Sequence, residues 1–438
     1  MMLEVLTKWI QLQRSQWMTK DKLSKLQALR MHKVVNDAFR KVPFYHTLYE
    51  GTGVGCCAPL NITDTADLPI VTKAQLKRTP LMERTAVDAN LNSCLINTTS
   101  GSTGPPITVL EDSYSAAYRD ALNLRLMWAY GMRPLDRICR VRLGLRPELK
   151  FSLADKSGVW GFFRRRLHKT LLSDTDILDH LRFMAVFRPA LLIASASYCR
   201  ALVRTCEELN EQLPSFRVIV TTGELSDSSS RKLIENKIGA EVFDHYAIEE
   251  IGSIAWECPT HSGYHVNTDS LFCELLRDEE RVAPGESGEL HVTSFHNMAT
   301  PIIRYSTGDL ATPMEDDCSC GRGLSMIRDI QGRRLDFILT TDRRHISPMA
   351  LIDAFATISG IEQFRIIQEK DFSIEVFIKQ NDEKKNGILT QAQQRCRTLF
   401  GETPVTVRLI DKLDNPKGKK FRAIESRLTA SDPEEALS

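Results

Sequence analysis

Apolar residues recur at helical spacing from residue 3 to residue 39, among them Leu23, Leu26, Leu29, Val34 and Phe39, and Pro43 stops the pattern. The next stretch is different in kind. Two short β-prone runs, 94–96 and 107–110, flank a polar segment. Residues 111–130 then return to helical spacing, opening on Glu111 and Asp112 and ending near Gly131. From residue 175 helix and strand alternate: a helix over 175–187, a buried strand over 189–194, a helix over 199–213 and a strand over 217–221. Such alternation predicts α/β layers with parallel pairing, where ligands sit beyond the carboxyl ends of the strands. Two segments occupy that place. Thr221-Thr222-Gly223-Glu224 closes one strand, and residues 244–250 follow the run 241–243. A later strand at 288–293 precedes a run that ends in the tight turn Thr307-Gly308-Asp309.

After Gly332 the texture shortens to an α+β pattern, with strands near 337–339, 364–368, 374–378 and 405–410 and a helix over 388–399. The fold class expected is therefore α/β. A large multi-layer N-terminal domain of β-sheets and packed helices spans 1–333, and a small α+β C-terminal domain spans 334–438. The length agrees, since 438 residues exceed what one hydrophobic core supports. The second domain closes on the basic loop 416–422 and a polar tail.

Charge narrows the partners. Lys+Arg number 57 against 56 Asp+Glu, a net charge of +1 that gives no general attraction to nucleic acid or anionic membrane, so small-molecule partners are expected. No apolar run approaches the ~20 residues of a membrane span, and Glu4, Lys8 and Arg14 interrupt any secretory core, so a cytoplasmic protein is expected. The 11 cysteines are odd in number and mostly isolated, which predicts reduced thiols. Two close groups stand apart from the rest. Cys258-Pro259-Thr260-His261 and Cys318-Ser319-Cys320 supply Cys258, His261, Cys318 and Cys320 as one tetrahedral Zn²⁺ set, with His265 as the alternative fourth ligand. Four protein ligands leave no open position, so such a zinc is structural. The Arg164-Arg165-Arg166 run reads as a solvated face.

The polar segment between the β-prone runs carries the densest hydroxyls and glycines of the chain, Thr98 to Pro106. Glycine lets backbone N–H groups turn inward, and Ser and Thr hydroxyls add donors, which together cradle phosphate oxygens. A Walker A loop is excluded because Gly104 is followed by Pro105 and Pro106 rather than by Lys and a hydroxyl residue.

Taken in order, Thr99-Ser100-Gly101-Ser102-Thr103-Gly104, Thr222-Gly223-Glu224, Tyr246 to Glu250, residues 305–309, Gly332-Arg333 and Gly418-Lys419-Lys420-Phe421-Arg422 resemble the adenylate-forming superfamily of acyl-CoA synthetases. Residues 263–267 and Cys318-Ser319-Cys320-Gly321-Arg322 resemble its phenylacetate-CoA ligase and CapK-like branch, and zinc-bearing members of that branch agree with the cysteine reading. The resemblance implies an ATP- and Mg²⁺-dependent ligase. It would activate an organic acid, aromatic by analogy, as the acyl-adenylate and pass it to coenzyme A. An amine acceptor is the alternative, as is an idle nucleotide-binding regulator. The small domain would be a mobile lid, and a homodimer is a family habit.

By the same resemblance Ser100, Gly101, Ser102, Thr103 and Gly104 hold phosphates, with Thr103 also counted as catalytic, and Glu250 holds Mg²⁺. Tyr246 lies on the adenine, Gly223 and Glu224 line its edge, Asp309 takes the ribose hydroxyls with Arg333 nearby, and Lys420 bridges carboxylate and α-phosphate. Three positions depart from the family pattern. Pro105 replaces a lysine, Glu249 replaces the threonine before Glu250, and Leu335 replaces a polar hinge residue.

Overall fold

The computed structural model describes residues 2–52, 62–98, 106–133, 135–143, 151–152, 164–169, 174–358, 360–380, 387–411, 413 and 422–428. One mixed sheet of 13 strands dominates. Its parallel part runs through Arg164–Lys169, Ile138–Leu143, Leu191–Ala194, Val218–Thr222 and Glu241–Ile248. At Gly252–Glu257 the chain doubles back, and the strands after it pair antiparallel. The change of pairing falls just after Tyr246 and Glu250, so these residues sit where the sheet changes its connectivity, a place that opens a crevice for ligands.

Strands Leu191–Ala194 and Val218–Thr222 are buried because helices cover both faces. Helices Asp174–Phe187, Ala196–Glu208 and Ser228–Ile238 pack one face around Leu192, Tyr198, Ile219 and Val242. Helix Ser113–Ala129 and the N-terminal helix Met2–Ser15 cover the other, around Tyr118, Val220, Phe243 and Trp256. Side-chain caps start three of these helices. Asp112 accepts from the Ser115 N–H at 2.7 Å, Ser195 from Tyr198 at 3.3 Å, and Asp227 from Ser230 at 2.7 Å.

The helical spacing over 3–39 is carried by two helices, Met2–Ser15 and Lys20–Lys41. No proline or glycine breaks it. The break is tertiary: the Gly323 N–H donates to the Gln16 carbonyl at 2.9 Å, and a Cβ at Gly323 would lie 1.8 Å from the Met18 carbonyl oxygen. The arginine run read as a solvated face belongs to the strand Arg164–Lys169.

Strands Leu95–Thr98 and Thr108–Glu111 form a separate antiparallel ribbon with Thr98 opposite Thr108, so the hydroxyl-rich segment joins two paired strands as expected. The C-terminal segment builds its own core from Phe355, Phe364, Ile366 and Phe400. There a four-stranded sheet, in the order Val405–Leu409, Ile374–Gln380, Ile361–Gln368, Ile424–Ser426, carries helices Pro348–Ala356 and Ile388–Phe400. It meets the large sheet closely at Gly332, whose backbone has φ +98° and where a Cβ would lie 3.0 Å from Leu225 and 3.2 Å from Pro348. Nearby, Asp353 accepts from the Ser228 N–H at 3.1 Å and from its hydroxyl at 3.0 Å. No helix among the described residues is long and apolar enough to cross a membrane.

Candidate active site

Strands Glu241–Ile248 and Tyr305–Pro313 bring Tyr246 and Asp309 together: the tyrosine hydroxyl donates to the Asp309 carboxylate at 2.5 Å. Asp309 is in turn opposite Arg333 in the sheet register, and Arg333 Nε lies 4.0 Å from its carboxylate. Burial raises the Asp309 carboxyl above its ordinary range, against the Tyr246 bond and the Arg333 charge. The tight turn expected at 307–309 is instead the middle of strand Tyr305–Pro313, where Gly308 has φ 76° and the Asp309 N–H donates to the Thr307 hydroxyl at 3.1 Å. An acceptor carboxylate presented beside an aromatic ring is the pairing that a nucleoside requires, with diol on acid and base on ring.

Glu250 lies at the same end of the sheet and is buried. It accepts from the Tyr305 hydroxyl at 3.2 Å, and Lys73 stands 3.5 Å away as its counter-charge. Lys73 was not among the residues singled out from sequence. The start of its helix was legible, because Thr72 and Gln75 form a reciprocal capping box; its approach to Glu250 was not. Glu249, the departure next to it, is exposed while Glu250 is buried, so the two carboxylates do not share one environment. A buried carboxylate with a lysine partner can exchange that cation for a hard metal ion.

Gly223, at φ 82°, ends strand Val218–Thr222, and the carboxylate of Glu224 accepts from the Ser197 N–H at 3.3 Å. Both therefore lie at the carboxyl ends of the parallel strands with Tyr246. Ser100, Gly101, Ser102, Thr103, Gly104 and Lys420 lie outside the described residues, as does Pro105. Arg422, two residues after Lys420, forms an ion pair with Asp336, whose charge bears on Asp309. The chain thus returns from the C-terminal sheet to the Asp309 side of the crevice.

The second cluster corrects one assignment. Cys258, His265, Cys318 and Cys320 place their ligand atoms within 4.8 Å of one another, and His261 is not among them. His261 has a left-handed backbone, φ 49°, which turns its ring to stack on Phe243 and to meet Arg231 at 3.1 Å. His265 instead projects from the strand Tyr264–Val266, with Nε2 3.2 Å from the Cys320 sulfur. The donor set has the chemistry of a soft divalent site. Burial, helped by Arg322, pushes the His265 imidazole down to about 4 and so keeps it neutral. For Cys318 burial acts upward, but bonds from Ser262 and Thr260 outweigh it and lower the thiol to about 6.

The chain is similar to known proteins over most of its length. The phenylacetate-coenzyme A ligase of Escherichia coli is 25% identical over 434 residues, covering 93% of this chain and 95% of the relative. The protein CapK of Staphylococcus aureus is 21% identical, covering 92% and 89%. No protein-family model matches the chain. Among solved structures, a 2-hydroxyisobutyryl-CoA ligase in the postadenylation state with its acyl-AMP superposes with TM-score 0.79 at 20% identity, covering 95% of this chain and 92% of the other. The same enzyme in its thioesterification state gives 0.65 over nearly the same coverage.

Proposed function

Because the chain belongs to the adenylate-forming superfamily, in its phenylacetate-CoA ligase branch, we propose that it activates an organic acid of the aromatic class with ATP and passes the acyl group to coenzyme A. The observation that carries this reading is the convergence of Tyr246, Asp309, Arg333 and Glu250 at one end of the large sheet. In the first step a carboxylate oxygen attacks the α-phosphorus. The new P–O bond forms as the bond to pyrophosphate breaks, and no proton moves, so aligned charge and oriented donors suffice. In the second step the thiol sulfur attacks the acyl carbonyl, its proton is lost, and AMP leaves.

In this reading Tyr246 packs on the adenine, Gly223 and Glu224 line its edge, and Asp309 accepts the ribose hydroxyls. The loop 100–104 holds the β- and γ-phosphates. Glu250 exchanges Lys73 for Mg²⁺, which would neutralise the departing pyrophosphate. Lys420 supplies positive charge at the α-phosphate. Residues 1–333 form the adenylation domain and 334–438 the mobile lid. Cys258, His265, Cys318 and Cys320 hold a structural Zn²⁺, a closed four-ligand set that ties the segment after Glu250 to the segment after Asp309.

Pyrophosphate release against a panel of acids, with coenzyme A and an amine compared as acceptors, tests the reading and decides the acceptor. Glu250→Gln removes the metal's charge partner while keeping the side chain's shape. It is expected to lower kcat by about 10²-fold and to raise the half-saturating Mg²⁺ concentration. Unchanged Mg²⁺ dependence in that variant contradicts the role given to Glu250.

A further inference from the structure

The junction between the large sheet and the C-terminal segment carries an alternation of charge that begins at the proposed site. Strand Met326–Arg333 ends on Arg333, and the short helical turn Arg334–Asp336 follows directly. Arg333 faces Asp309 at 4.0 Å, and Arg334 faces Glu289 of strand Gly288–Ser294 at 3.6 Å. Asp336 is held from the C-terminal side instead: the Arg422 guanidinium donates to its carboxylate. Further on, Glu425 accepts from Arg365 on strand Ile361–Gln368 at 2.6 Å. Each charge acts on the next, Arg333 on Asp336, Asp336 on Asp309, and Arg422 on both Asp336 and Glu425. The signs therefore alternate from Asp309 through Arg333, Asp336, Arg422 and Glu425 to Arg365.

The middle pair of this run joins the junction to the last strand of the C-terminal sheet. The side chains of Asp336 and Arg422 are 15% and 24% exposed, so their bond is only weakly screened by solvent. Burial raises the Asp336 carboxyl above its ordinary range, and the Arg422 charge is the first influence against it. Arg422 Nε is buried with no hydrogen-bond partner among the described residues, so among them Asp336 is what fixes the guanidinium. The next residue is already committed to the sheet. The Ala423 carbonyl accepts from the Ile366 N–H at 2.7 Å, and Ile424–Ser426 pairs parallel with Ile361–Gln368. Lys420 lies two residues before Arg422, a span of at most about 7 Å along the chain. Whatever holds Arg422 thus limits where Lys420 can be.

We infer that Asp336 is a positioning residue for the adenylation step: it holds Arg422, and through Arg422 it sets the reach of Lys420 toward the crevice where Tyr246 and Asp309 meet. The pair contributes no atom to the reaction. It acts on the first step, in which positive charge must be aligned with the α-phosphate as the bond to pyrophosphate breaks. The second step breaks a carbon–oxygen bond and none at phosphorus, so it depends on the pair far less. The inference rests on the adenylation reading, and on the charge given there to Lys420, and deepens it.

The test measures the two half-reactions apart on the full chain: single-turnover pyrophosphate release from ATP and Mg²⁺ with an acid the parent accepts, and thioester formation from the matching synthetic acyl-adenylate and coenzyme A. Asp336→Asn and Arg422→Gln are each expected to slow release by about 10-fold, while the half-saturating ATP concentration and the rate of thioester formation stay within about twofold. The double variant should be no slower than either single one, because both changes remove the same bond. Arg422→Lys keeps the charge and should keep most of the rate. The deciding measurement is made in Lys420→Ala: there Asp336→Asn should slow release no further, since the lysine it positions is gone. If Asp336→Asn does not fold, Arg422→Gln in the same background decides. A second loss of about 10-fold in Lys420→Ala, an equal loss in both half-reactions, or release at the parental rate in Asp336→Asn and Arg422→Gln overturns the assignment of Asp336 alone. Absence of release with every acid overturns the adenylation reading and this assignment with it.

Discussion

Asp309→Ala is expected to lower kcat/KM for ATP by ~10²–10³-fold, because two charge-assisted bonds to a ribose are worth about 1.5–3 kcal/mol each and 1.4 kcal/mol is tenfold. The size follows from position. Asp309 is bonded by Tyr246 at 2.5 Å and faced by Arg333 at 4.0 Å. The loss should fall on nucleotide affinity more than on acid affinity. Stability should move the other way. Burial holds this carboxyl above its usual range. A group with a raised folded pKa contributes stability that is full below its unfolded value and is lost as pH rises through the folded one. At neutral pH the ionised Asp309 therefore works against the fold. Asp309→Asn should melt no lower than the parent at pH 7 to 8, with the difference shrinking as pH falls toward the ordinary aspartate value of about 3.9. A melting series against pH, run beside ATP titrations, checks both halves. A variant that keeps its ATP affinity contradicts the ribose role.

The second large effect concerns the cysteine cluster. Metal analysis is expected to find close to one zinc per chain. Cys318→Ser and His265→Ala should lose it, with a fall in Tm on the order of 10 °C, whereas His261→Ala should keep it. The structural reason is what the cluster fastens. The turn after Cys320 receives the N-terminal helices: Arg322 Nε donates to Gln16 at 2.9 Å and its guanidinium lies over Trp17 and Trp256, 4.8 and 5.2 Å from their ring centres. Loosening that turn should free helix Met2–Ser15 from helix Ser113–Ala129, so tryptophan fluorescence should shift on chelation as well as on mutation. A metal-free preparation with an unchanged Tm contradicts the zinc.

Much of this arrangement is written in local sequence. Helix Ser113–Ala129 follows from Asp112 as its cap, and the parallel strands follow from runs such as Val218-Ile219-Val220 between helical stretches. The place of Tyr246 near the carboxyl end of its strand was readable too, since such ends are where these sheets bind ligands, whereas Asp309, expected in a turn, lies inside strand Tyr305–Pro313. Their mutual contact was not, because nothing in spacing brings residue 246 to residue 309. Lys73 beside Glu250 was hidden for the same reason. The histidine of the cluster was misplaced because Cys-x-x-His spacing says nothing about backbone handedness, and the positive φ of His261 turns the ring away. The break at Gln16 to Thr19 was illegible because it is made by Gly323, more than three hundred positions later.

The central claim is that this chain makes acyl-adenylates, and the most direct measurement is pyrophosphate release in the presence of ATP and Mg²⁺ with each acid of a broad panel. Release that requires an acid, is abolished or reduced by about 10²-fold in Lys420→Ala, and is followed by a thioester when coenzyme A is added, is the result predicted. Protein that demonstrably binds ATP yet releases no pyrophosphate with any acid, and is indifferent to Lys420→Ala, is the result that contradicts it and leaves a nucleotide-binding regulator in its place.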